Sequence, residues 1–133
     1  MEKQAYGFGC TLNESMDESV RKVTDALKQE GFGVLTTIDV KATMKTKLDV
    51  DVRPYVILGA CNPHLAYRGL QAEPELGLLL PCIVIVYDNG DGSSQVSIVD
   101  PQQMLGVVQN AELVAVADEA ASRLHRVVEH LQG

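Results

Sequence analysis

Two short segments hold most of the residues in this chain that could do chemistry. One is Leu58-Gly-Ala-Cys-Asn-Pro-His64, where an apolar run gives way to an asparagine and a proline. The other is Leu79-Leu-Pro-Cys82. Free amides at a helix start stabilise a nearby thiolate, which suits Cys61 or Cys82 to redox exchange or nucleophilic attack. The same amides can receive a carboxylate or phosphate, so Cys61, Asn62 and Cys82 also outline a binding site. With His64 three positions after Cys61, the two thiols offer soft donors of the kind that hold Zn or Cu(I). The plain alternative is that both thiols fill small core spaces next to Gly59 and Ala60, because free cysteine is among the most buried residue types. Cys-x-x-His occurs here once, without the second pair of a zinc motif, and an imidazole on a first helical turn is usually solvated.

Asp39 and Lys41 stand with Lys45, Lys47 and Arg53 in a second group. Cations gathered in an acidic chain suit an anionic ligand, although such a run is more often a solvated loop. Asp88-Asn-Gly-Asp-Gly92 lacks the alternating ligands and final Glu of a calcium loop and reads as a hairpin turn. No phosphate-binding loop, nucleophile elbow or His-Glu-x-x-His is present, and His125 and His130 have no evident triad partners. No motif names a reaction or a cofactor.

The elements that must position these residues follow from spacing. Gln4 to Thr11 reads as a first strand weakened by Gly7 and Gly9. Ser15 and Glu18 have the spacing of a capping box, and Met16, Val20, Val23 and Leu27 put one apolar face on the helix that follows. Gly31 ends it. Gly33 to Asp39 is a β-branched strand, and Lys41 to Leu48 fits either a short helix or an ordered loop. Pro54 to Cys61 is a third strand; Asn62-Pro63 then caps and opens a helix running to about Ala72. Leu78 to Tyr87 and Ser94 to Val99 are the fourth and fifth strands. Asp100-Pro101 repeats the capping device, and Leu113, Ala117, Ala120, Leu124, Val127 and Leu131 mark a long closing helix. Strands that mostly lack crossover helices form an antiparallel sheet, so the class is α+β: about five strands with two long amphipathic helices on one face and a short helix after the third strand.

A length of 133 residues suits one domain, and 46% apolar with 22% charged residues excludes a disordered chain. Eleven basic against eighteen acidic residues leave a net charge of −7. Without a basic stripe, and with 5% aromatics and no Trp, neither nucleic acid nor an anionic membrane is an expected partner. No apolar run nears the ~20 residues of a membrane helix. The opening Met-Glu-Lys-Gln-Ala-Tyr has no apolar signal core, which predicts a cytoplasmic protein, and three cysteines without one argue against a disulfide framework.

Gly31-Phe-Gly-Val34, Ile38-Asp-Val-Lys41, Pro54-Tyr-Val-Ile-Leu-Gly-Ala-Cys-Asn-Pro63, Gly77-Leu-Leu-Leu-Pro-Cys82 and the closing helix resemble the bacterial and archaeal domain-of-unknown-function family 302 across essentially the whole chain. The resemblance implies a TATA-binding-protein-like fold, a curved antiparallel sheet backed by helices, and frequent homodimers. It implies no established activity, and the fold name does not bring DNA binding with it. The family motif falls on Asp39, Lys41, Cys61, Asn62, Pro63, Pro81 and Cys82, leaving His64 outside. Relatives often carry Lys-Leu-Gly where this chain has Lys47-Leu-Asp49, which predicts a relaxed turn. The leading expectation is a small, dimeric binding or accessory domain with its site at Cys61, Asn62 and Cys82, with Asp39 and Lys41 as further members. A thiol protein using Cys61 or Cys82, a soft-metal site on Cys61, His64 and Cys82, and a protein-interaction domain are the alternatives.

Overall fold

Alternation of apolar and polar residues builds the sheet, and helical stripes cover one side of it. The computed structural model describes residues 1–133. Its strands are β1 (Glu2–Gln4), β2 (Gly7–Leu12), β3 (Gly33–Asp39), β4 (Tyr55–Cys61), β5 (Cys82–Asp88) and β6 (Ser94–Val99). Its helices are α1 (Met16–Gln29), α2 (Val40–Leu48), α3 (Pro63–Ala72), α4 (Pro101–Gly106) and α5 (Leu113–Gln132), with a 3₁₀ segment at Pro74–Leu79. All neighbours in the sheet are antiparallel, in the order β1-β2-β6-β5-β4-β3, and the sheet is curled.

Phe8, Cys10, Leu58, Val84, Val86, Val96 and Ile98 point from the sheet toward α1 and α5 and belong to one cluster of 24 buried residues. The stripe on α5 is buried from Leu113 to Val127, with Leu131 half-buried at its end. Burying a Leu or Val side chain contributes about 1.5–3 kcal/mol, so these two helical faces dominate the core. The α+β class with two long helices on one face is therefore the observed architecture.

Three local readings change, and one open choice between helix and loop is settled. The first strand is two, β1 and β2, joined by the turn at Ala5-Tyr6, which makes six strands of the expected five. Residues 40–48 are helical, because the Asp39 carboxylate accepts from the Ala42 amide at 3.0 Å and starts a turn that the polar sequence left open. Leu78 to Pro81 are not in a strand: Leu78 is 83% exposed, and β5 begins only after Pro81, which has no N–H to give a ladder. The capping box is half made. Ser15 accepts from the Glu18 amide at 3.3 Å, but the Glu18 carboxylate pairs with Arg21 instead of reaching back.

The expected relaxation after Lys47-Leu48 does not occur either. Asp49 itself takes the left-handed conformation, φ 53° and ψ 37°, that a glycine would supply. No helix is long and apolar enough to cross a membrane.

A cavity between β4, β5 and α3

The end of β4 and the start of β5 meet because Ala60 pairs with Cys82 across the antiparallel ladder. Cys61 is one step further on, at the last position of β4, where the chain turns into α3. Asn62 makes that turn: its side-chain oxygen accepts from the Leu65 amide at 3.2 Å, and Pro63 follows at the first helical position, where no N–H is needed. Opposite, Gly59 leaves room for Thr36 and Pro81; a Cβ there would lie 2.4 Å from Thr36 Oγ1 and 2.7 Å from Pro81 Cγ. Gly31, at φ +84°, likewise gives way to the Asn62 amide group, 2.9 Å from where its Cβ would stand.

Cys61, Asn62 and Cys82 thus line one largely apolar cavity of about 30 Å³, closed by Leu65, Pro81 and Val116 among others. Such a volume accommodates one compact group. All three cysteines are free thiols. Burial pushes the Cys82 thiol up to about 11, with a further push from the neighbouring Cys61. Burial raises Cys61 as well. Desolvation disfavours the thiolate at both positions, and the Leu65 amide at the helix start is already taken by Asn62.

The other candidates lie elsewhere. Asp39 pairs with Val56, so it stands five residues down β4 from Cys61, about 17 Å away along the strand. There it caps α2, and the Lys41 ammonium donates to the Val52 carbonyl at 2.9 Å. Both residues serve the α2 turn and are not members of the thiol site. His64 is exposed, and no three His, Cys, Asp or Glu side chains gather where they could hold a metal ion, so the Cys61–His64–Cys82 donor set is not assembled. His64, two positions after the Asn62 cap, is not among the residues that line the cavity. His125 lies against Phe8 in a tilted arrangement, 4.3 Å between ring centroids.

Sequence reasoning missed Leu76, Leu80, Met104, Leu105, Val116 and Ala120 as cavity walls, because they come from three separate parts of the chain. A larger cleft of about 350 Å³ lies between α4 and the start of α5, lined by Gln102, Gln109 and Asp118. Leu105 lines both spaces. A cluster of Tyr55 stacked on Tyr87 at 5.4 Å, with the Arg53 guanidinium 5.4 Å above the Tyr87 ring, was also unforeseen; its members are 32 and 34 positions apart.

The family model described as a domain of unknown function, DUF302, matches residues 8–131. Among solved structures the chain is similar to the crystal structure of an uncharacterized conserved DUF302 protein from Bacillus stearothermophilus. The two are 29% identical, the match covers 96% of this chain and 99% of that one, and the TM-score is 0.87. No curated protein matches the chain.

Proposed function

Because the chain belongs to the DUF302 family, whose description assigns no activity, its role has to be argued from the site, and we propose that it is a binding module rather than a thiol catalyst. The site is the cavity walled by Cys61, Asn62 and Cys82, and it takes a compact uncharged group. The observation that carries this reading is that three residues from two distant segments border one apolar space. Two protonated thiols beside it act as small, polarizable walls.

The alternatives have weaker support. A nucleophile or redox thiol requires a thiolate near neutral pH, and burial works against that at both positions. An anion would need the cations of the 41–53 segment, which stand at the other end of β4. Zn or Cu(I) would require two thiolates in a space that favours neither.

Xenon is a suitable probe, because it enters dry apolar cavities without needing a polar partner. Crystals held under xenon should show it bound among Cys61, Leu65, Pro81 and Cys82, and Ala66→Leu, which fills the cavity, should remove it. Xenon confined to the α4–α5 cleft would overturn the reading. So would a thiol at Cys61 or Cys82 that reacts rapidly with a disulfide reagent at neutral pH.

A further inference from the structure

The thiol cavity is too small to hold a ligand tightly by itself. At about 30 Å³ it takes one compact group, and each methylene withdrawn from water raises affinity only about fourfold. A molecule that uses this space must therefore extend beyond it. The adjoining space is the cleft of about 350 Å³ between α4 and the start of α5. Helix α5 forms a wall of both: Val116 and Ala120 line the cavity, while Leu113 and Ala117, three positions earlier, line the cleft. Leu105 of α4, 6% exposed, is the one residue that borders the two spaces at once.

The two spaces differ in chemistry. Apolar groups dominate the cavity, whereas Asp118, Gln102, Gln109 and Asn110 line the cleft, with no Lys, Arg or His among its walls. Gln102 Nε2 donates to Asp118 Oδ1 at 2.9 Å, which sets the Gln102 amide oxygen beside the carboxylate as a second acceptor. Asn110 is already engaged: its amide donates to the Ala72 carbonyl at 3.0 Å, and its oxygen accepts from the Glu112 amide at 2.9 Å. The net charge of −7 acts in the same direction as Asp118. An anion is repelled at this mouth, whereas an ammonium group finds a carboxylate and amide oxygens.

We infer that Leu105 is a gate joining the two spaces into one site for a primary alkylamine. The ammonium group sits at Asp118 and Gln102, and the unbranched tail passes Leu105 to place its end beside Cys61 and Cys82. Rotation of the Leu105 side chain between staggered rotamers opens the way and requires no movement of the backbone. The inference rests on the reading of the thiol cavity as the binding site, and it adds the class of ligand and the route of entry.

Calorimetric titration of the full chain with the series from n-propylamine to n-hexylamine tests it. Affinity should rise about fourfold for each methylene that enters the cavity. Carboxylates of the same chain lengths should bind about fivefold more weakly, and Asp118→Asn, at an exposed position, should remove most of that preference. Ala66→Leu, which fills the cavity, should flatten the dependence on chain length. Leu105→Phe, which narrows the passage, should flatten it as well, and an unchanged circular dichroism spectrum would verify the fold of each variant. A cavity that takes up xenon while the amines show no dependence on length overturns the gate and leaves the thiol-cavity reading standing. A cavity that takes up neither overturns both. A length dependence that survives Ala66→Leu and Leu105→Phe places the tail elsewhere and overturns the inference, as do carboxylates that bind as tightly as the amines.

Discussion

Cys82 shows how a single side chain couples the cavity to stability. Its thiol is 9% exposed and is held up at about 11, above an ordinary value of 9.0. Below pH 9 the thiol is protonated in the folded and unfolded states alike, and its contribution is complete. As pH rises from 9 to 11 the unfolded chain gives up its proton first, so stability drains across that window. Two units correspond to about 2–3 kcal/mol, and Cys61 and Cys10, both raised by burial, add with the same sign. Urea midpoints measured from pH 8 to pH 11 should fall steeply, and the slope should be shallower in Cys82→Val. Equal slopes in the two proteins would show that the thiol is not desolvated as described. At this scale much could be read directly: Asn62 and Pro63 announce a helix start, and Ser15 a cap. What escaped was the fate of Glu18, because Arg21 competes for its carboxylate only once the helix has formed.

At the scale of elements, α2 buries no side chain, so it depends on its two ends and on Lys41 and Lys45, which reach Val52, Asp49 and Asp51. Asp39 caps the first turn, and Asp49 closes the last one in the left-handed region. For a β-branched residue that conformation costs about 1–2 kcal/mol, whereas glycine adopts it freely. Asp49→Val should therefore lower unfolding free energy by about that amount, and Asp49→Gly should be neutral or stabilise by up to about 1 kcal/mol. Chemical denaturation of the two variants decides the matter; an unaffected Asp49→Val would mean that the turn is not held as it stands here. Strands β3, β4 and β6 and helices α1, α3 and α5 were legible because each carries a full period of apolar residues or a cap. Leu78-Leu-Leu-Pro81 was not, because a run of leucines looks alike in a buried strand and in an exposed 3₁₀ turn. Only the absence of an amide at Pro81 hinted where the ladder would begin.

For the molecule as a whole, a group that enters the cavity of Cys61, Asn62 and Cys82 would stabilise the fold, because only the folded chain presents that cavity. The thermal midpoint should rise with xenon pressure, and Ala66→Leu should flatten that dependence. A wild-type midpoint independent of xenon pressure would count against binding in the cavity.

Composition and periodicity alone determined the α+β class, the antiparallel sheet and its two covering helices, since these depend on local alternation and on stripes visible within a few turns. They also picked out Cys61, Asn62 and Cys82, by pairing thiols with a cap-and-proline start. Register and packing decided the rest. The Ala60–Cys82 pairing brings the two thiols to one cavity, while the length of β4 carries Asp39 and Lys41 to its far end. Burial, a property of the surrounding fold and not of the neighbours in sequence, then keeps those thiols protonated.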